Sequence, residues 1–306
     1  MTITVANAPI SYGAFELTVG IDQNVPDGKG VLDRVHEAGY SGIDLGPVGY
    51  LGQGAELAER LASRGLGLAG AYLEFPFGEA EALGRLMPEL DSMLDTFDAV
   101  RGRVPGPLPR PTIADAGSDR RRGNPGRSHL DPAAWGLDAG GWERFRAGLA
   151  HVLARCRDRG YEPTFHHETG THVEAPWEIA RVLELTDVGL CLDTGHFFIG
   201  GGDPVAALSQ WRERINHVHL KDARRQVMDR VIADGAPTPA IWSREVFCAL
   251  GEGDVDVPGV LAALRRGEFD GWLVVEQDIF PQTPERFVQA TDDQRANRDY
   301  LAARGF

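Results

Sequence analysis

The sequence predicts a single (β/α)₈ TIM barrel, an α/β fold in which eight parallel strands close on themselves inside a ring of helices. Three observations carry that prediction. Short apolar runs alternate with longer amphipathic stretches eight times along the chain. The runs are mostly apolar rather than alternating, as strands buried on both faces are. The later runs end in carboxylates and imidazoles, where barrel enzymes place their chemistry. The 306 residues fit one barrel, since such folds run to about 250 residues or more as one unit, so 1–306 reads as one domain.

The first run, Ile3 to Ile10, leads to a helix over Gly30 to Ala38 that Gly39 stops. Gly42 to Leu45 leads to a helix over Ala55 to Ser63, stopped at Gly65. Leu66 to Leu73 precedes a long helix from Glu79 to Val100. Pro111 to Ala114 is the fourth strand, and its helix, Trp142 to Arg159, ends at Gly160. Strands five to eight are Pro163 to His167, Val188 to Leu192, Ile215 to Leu220 and Trp272 to Val275. Their helices are Ala175 to Leu185, Pro204 to Arg212, Val257 to Arg266 and about Pro284 to Ala303. Two long connections, 115–141 and 223–250, leave the C-terminal ends of strands. They read as lids or substrate walls, or else as solvated loops.

Net charge is −14, which argues against a polyphosphate partner and suits a neutral polyol. Cys156, Cys191 and Cys248 lack the spacing of a disulfide framework or a zinc knuckle. The first residues lack a basic segment followed by an apolar run, and no stretch of about 18 apolar residues occurs. The reading is no membrane span and, by default, the cytoplasm.

The informative residues stand where the last four strands end. Strand five runs into His166-His167-Glu168-Thr169-Gly170, strand six into Asp193-Thr194-Gly195-His196, and strand seven carries His217-Val218-His219-Leu220-Lys221-Asp222. Strand eight ends in Glu276-Gln277-Asp278. Buried carboxylates and imidazoles are costly unless paired or bound to a metal. Glu168 and Asp193 lie 25 residues apart, and Asp193 and His219 lie 26 apart, about one strand–helix unit each time. The gap of 57 residues from His219 to Glu276 contains the long second loop. Glu168, Asp193, His219 and Glu276 therefore read as ligands of one divalent metal ion. The oxygen-rich set points to Mn²⁺ first, with Co²⁺ or Mg²⁺ as alternatives and Fe²⁺ and Zn²⁺ also open. Taken singly, Asp193 reads equally as a turn residue and His219 as a core histidine.

These residues resemble the xylose-isomerase-like barrel superfamily of ketose epimerases, sugar isomerases and inosose dehydratases. The resemblance implies one metal held by Glu168, Asp193, His219 and Glu276. It is closest to inosose dehydratases, through Ala6-Asn7-Ala8-Pro9-Ile10-Ser11, Asp193-Thr194-Gly195-His196, Gly200-Gly201-Gly202-Asp203-Pro204, His217 to Asp222, Gly251-Glu252-Gly253-Asp254-Val255-Asp256 and Gly271-Trp272 through Asp278. One departure stands out. The dehydratase motif resembles His-x-His followed by x-Gly-Thr, whereas this chain reads His166-His167-Glu168-Thr169-Gly170-Thr171. A glutamate there is what the epimerases and isomerases carry.

The implied activity is metal-dependent isomerisation or epimerisation of a ketose or cyclic polyol ketone, with dehydration of an inosose as the alternative. Glu168 and Glu276 are the expected bases on opposite walls. His166, His196 and Lys221 are expected to touch substrate. His196 alternatively supports the metal from behind, and Lys221 alternatively forms an ion pair with Asp222. His166 and His167 are expected to split, one packed inward and one lining the pocket. Tyr12, Phe15, Tyr72 and Trp242 either stack on a sugar ring or pack under the loops. The run Arg120-Arg121-Arg122 reads as a solvated loop or inter-subunit contact, or else as a phosphate clamp. The related apurinic endonucleases use several zinc ions and a basic groove; here the early strands offer Glu16, Asp44 and Glu74 but few histidines. A non-catalytic sugar-binding barrel is the remaining reading. Pairing of related barrels implies a homo-oligomer.

Overall fold

The computed structural model describes residues 2–280 and 283–306. Its eight parallel staves are β1 (Ile3–Asn7), β2 (Gly42–Ile43), β3 (Gly67–Leu68 and Gly70–Phe75), β4 (Arg110–Asp115), β5 (Thr164–His166), β6 (Gly189–Asp193), β7 (Ile215–Leu220) and β8 (Gly271–Val275). β1 pairs with both β2 and β8. β3 bends at Ala69: its first piece pairs with β2 and its second with β4. Ala69 joins the two neighbours, its N–H donating to the Ile43 carbonyl and its own carbonyl accepting from the Arg110 N–H. The barrel therefore closes.

The expected helices form, with small changes at their ends. They span Gly28–Glu37, Gly54–Ala62, Ala80–Val100, Ala139–Asp158, Pro176–Leu185, Pro204–Gln210, Val257–Arg266 and Pro284–Ala302. The stops at Gly39, Gly65 and Gly160 take φ of 85°, 65° and 79°, the left-handed conformation that ends a helix without a Cβ penalty. The first apolar run stops at Asn7 rather than Ile10, and a 3₁₀ turn covers Pro9–Tyr12. Pro9 has no N–H with which to continue the ladder. Among the described residues, no helix is long and apolar enough to cross a membrane.

The main core lies between staves and helices, with residues such as Leu32, Leu61, Phe97, Phe145 and Val260 fully or almost fully buried. The bottom of the barrel is filled differently. The Trp272 ring lies so close to Gly42 and Gly67 that a Cβ there would stand 2.6 and 2.7 Å from it. Glycine at these two stave positions makes room for the ring, whose indole N–H donates to the Pro107 carbonyl. With that end plugged, the open end is the C-terminal one.

Both long connections are ordered around short helices, Asp119–Arg122 and Pro132–Trp135 in the first and Arg225–Ala233 and Pro239–Ser243 in the second. The expectation of a solvated arginine run is corrected at Arg121, which is buried. Its guanidinium lies 3.0 Å from Glu178 and 3.3 Å from Glu174. Glu174 also accepts from the backbone N–H groups of Gly126, Ser128 and Gly170. A buried arginine needs such carboxylates, and here they tie the first long connection to the segment after Glu168. Arg120 stacks on Trp135, 4.5 Å from the ring centre.

Candidate active site and metal centre

Register brings the polar strand ends to one level. Asp193 pairs with His219, and His219 pairs with Val274, two positions before Glu276. Side chains two apart on a strand share a face, so His219 and Glu276 both point inward.

Asp193 serves two purposes at once. Its Oδ1 accepts from the His196 N–H at 2.8 Å and caps the helix Thr194–Ile199. Its Oδ2 faces the barrel axis, among basic side chains. That oxygen lies 3.1 Å from Lys221 Nζ, 3.7 Å from His166 Nε2 and 3.9 Å from His219 Nδ1. His219 Nδ1 is 3.2 Å from Glu276 Oε2, which is 3.0 Å from Lys221 Nζ. Burial would raise both carboxyls. The cationic neighbours outweigh it, Lys221 and His196 at Asp193 and His219 and Lys221 at Glu276, and hold both below the usual carboxylate range.

Glu168 stands on another wall. Its Oε1 is 3.1 Å from His196 Nε2 and its Oε2 is 3.6 Å from His166 Nδ1. Burial pushes its pKa up to about 8, against weaker opposition from His196 and Lys221. The turn behind it is closed by its N–H donating to the Val173 carbonyl and by Thr171 Oγ1 donating to its own carbonyl.

Lys221 is held by what precedes it in space. Thr194 Oγ1 accepts from the Lys221 N–H and donates to the Lys221 carbonyl. A Cβ at position 195 would stand 2.8 Å from the lysine stem, so Gly195 admits it. The expected ion pair with Asp222 does not form. Lys221 Nζ meets Asp193, Glu276 and, at 2.8 Å, Asp278. Asp222 points elsewhere and accepts from the N–H groups of Ala223, Gly251, Gly253 and Val255. Adjacent residues at a strand end face opposite ways, which separates the two. The Gly251-Glu252-Gly253 motif is thereby explained as a backbone wrap around one carboxylate.

A cavity of about 510 Å³ opens over these groups, a size suited to a small ligand. Glu168, His166, His219, Lys221, Glu276 and Asp278 line its floor, and Phe15, Tyr72, Trp242, Thr238 and Arg122 its walls. The long connections supply Arg122, Thr238 and Trp242, so parts of both are walls. His196 stands behind Glu168 and is not among the lining residues. His167 is packed away beside Phe197, and its Nε2 accepts from the Asp193 N–H. Tyr12 is fully buried against Phe287, away from the cavity. Asp278 received no role from the sequence, although its spacing from Glu276 places both on one side of an extended chain.

Asp193, His219 and Glu276 bring one ligand atom each to within 4.8 Å of one another. Two carboxylates and an imidazole, all buried, fit a divalent cation. Glu168 lies outside that group and faces the same cavity.

A sequence model of the family described as a xylose isomerase-like TIM barrel matches residues 32–302. The inosose dehydratase of Lacticaseibacillus casei is 34% identical over 152 residues, 49% of this chain. The match spans 51% of that relative, about half its length. The inosose dehydratase of Geobacillus kaustophilus (strain HTA426) is 28% identical over 263 residues, 85% of this chain and 83% of that protein. Among solved structures, the probable 3-DHS dehydratase AsbF of Bacillus anthracis superposes with a TM-score of 0.67 at 13% identity, over 98% of this chain and 99% of that one. An L-ribulose 3-epimerase gives 0.67 at 15%, over 99% and 94%. The IOLI protein with a bound zinc atom gives 0.65 at 14%, over 97% and 98%. At these identities the structural likeness establishes the fold, and the fold is shared by dehydratases and epimerases alike. The chain belongs to the xylose isomerase-like TIM barrel family.

Proposed function

We propose that this protein is a divalent-metal-dependent isomerase or epimerase of a ketose or cyclic polyol ketone, acting by proton abstraction next to the carbonyl. The observation that carries the reading is the pair of carboxylates, Glu168 and Glu276, lining one cavity from different walls. Glu168 faces the cavity as the group to take a proton from carbon; a bound cation would hold it ionised, so its position rather than its basicity suits it to that step. Glu276, on the other wall, is held ionised beside Lys221 and His219, so it returns a proton to carbon only after taking one up from water. Lys221 presents a buried ammonium to the charge that develops on the substrate oxygens, and His166 is placed to hold a hydroxyl.

Asp193, His219 and Glu276 would hold the metal, with Glu168 as the fourth ligand. A cation there supplies polarisation of the carbonyl. Mn²⁺ is the first choice for this oxygen-rich set, with Co²⁺ or Mg²⁺ as alternatives. His196 orients Glu168 from behind, so it acts on substrate through that carboxylate. The acidic cavity favours an unphosphorylated substrate. A cytoplasmic homo-oligomer completes the reading.

Dehydration of an inosose is the second reading. It is favoured by the relatives named inosose dehydratase. It shares the first step and differs when a neighbouring hydroxyl leaves.

The test is deuterium wash-in. Chelator-treated protein reloaded with Mn²⁺ is incubated in heavy water with a panel of ketoses and inososes, followed by NMR. Exchange at the carbon beside the carbonyl is expected, lost in both Glu168→Gln and Glu276→Gln. An epimer or isomer supports the first reading and a product lacking water the second. Full exchange in Glu168→Gln would remove that residue as the base.

A further inference from the structure

Below the site just described, the barrel interior holds a second polar cluster, which shares only His219 with the proposed chemistry. His217 lies two residues before His219 on β7 and so shares its inward face. It is fully buried, and neither of its ring nitrogens has a hydrogen-bond partner among the described residues. Asp44 follows the end of β2 and is 5% exposed. Its Oδ1 has no partner, and its Oδ2 is 3.6 Å from His219 Nε2, which also has none. These three residues thus stand together with unpartnered polar atoms on each. Native interiors leave few such atoms, so the cluster calls for an occupant.

The chemistry of the donors says what kind. Asp44, His217 and His219 bring one ligand atom each to within 4.8 Å of one another. Two imidazoles and a carboxylate are the donor set of borderline cations such as Zn²⁺ and Co²⁺. Asp44 faces the His219 ring at 3.6 Å, beyond hydrogen-bond length, while the ammonium of Lys221 is engaged by Asp193, Glu276 and Asp278. Asp44 and His219 both line the cavity, so a cation entering at the mouth reaches them.

We propose that Asp44, His217 and His219 form a second divalent-cation site, one layer deeper in the barrel than the Asp193–His219–Glu276 centre. His219 is shared: Nδ1 faces Glu276 and Asp193, and Nε2 faces Asp44. With both sites filled it is an imidazolate bridging two cations, its second ring proton released to solvent. The deeper site stands whether or not the proposed reaction is correct.

Metal stoichiometry tests it. Chelator-treated protein is equilibrated with Co²⁺, freed of excess by gel filtration and assayed for cobalt per chain. Two per chain are expected in the wild type, one in His217→Leu, and one in Asp193→Asn, which impairs only the upper centre. Should His217→Leu fail to fold, a wild-type crystal grown with Co²⁺ decides the matter by anomalous scattering. Two peaks, one between Asp44 and His217, support the site. A single peak at Asp193 and Glu276, with water or nothing at the deeper cluster, overturns it, as does one cobalt per wild-type chain that Asp193→Asn abolishes.

Discussion

Lys221 Nζ lies 2.8 Å from Asp278 Oδ1, and the same nitrogen stands within 3.1 Å of both Asp193 and Glu276. One buried ammonium thus separates three carboxylates that would otherwise repel. The carboxylates in turn hold its pKa well above the ordinary lysine value, although burial acts to lower it.

Lys221→Met is therefore expected to destabilise the chelator-treated protein by about 3–5 kcal/mol, the cost of stripping a partner from buried charges. Adding Mn²⁺ should recover most of that loss, because a cation among the same oxygens replaces the missing charge. Urea unfolding with and without Mn²⁺ measures both. A metal-free variant as stable as the wild type would show that Lys221 does not hold these carboxylates.

The contrast between Lys221 and Asp222 marks what the sequence makes legible. Polar residues ending apolar runs, at intervals of one strand–helix unit, point to Glu168, Asp193, His219 and Glu276, and all but Glu168 meet in one cluster. Proximity in sequence misleads at Lys221–Asp222, since strand neighbours face opposite ways; the two-residue period links Lys221 with His219 and Glu276 with Asp278 instead. Arg121 is not legible at all. Its burial depends on Glu174 and Glu178, and nothing local marks them as its partners. The bend of β3 at Ala69 is likewise set by pairing with β2 on one side and β4 on the other.

Glu168 carries a pH signature. Its folded pKa, about 8, lies above its ordinary value of 4.5. A raised value means a contribution to stability that is full below 4.5 and lost as pH rises through about 8. Between these limits the metal-free protein should lose stability that Glu168→Gln does not lose. Cation binding must also displace this proton, so calorimetric titration with Mn²⁺ at about pH 6.5, in buffers of differing ionisation enthalpy, should report about one more proton released by the wild type than by Glu168→Gln. Equal proton release by the two proteins would mean that Glu168 is already ionised or is not a ligand.

The Arg121–Glu174–Glu178 network fastens the first long connection to the turn after Glu168. Arg121→Met leaves two buried carboxylates facing each other and is expected to cost about 3–5 kcal/mol. Because Gly126 and Ser128 donate to Glu174, proteolysis should also quicken in 115–141 under native conditions. Equal melting and equal nicking rates for variant and wild type would reduce the network to a bystander.

The plug at the barrel floor yields a prediction independent of the active site. A methyl at position 42 would lie 2.6 Å from the Trp272 ring and 3.1 Å from the Gly67 carbonyl. Gly42→Ala should therefore destabilise by about 1–3 kcal/mol through overpacking. Trp272→Leu alone should also destabilise, by opening a cavity. Combined, the two should be less harmful than their sum, because the added methyl then occupies space the ring has vacated. A double-mutant cycle by urea unfolding gives the coupling, expected to exceed about 0.5 kcal/mol in the favourable direction. Strict additivity would mean that the glycine is required by the backbone at that point and not by the tryptophan.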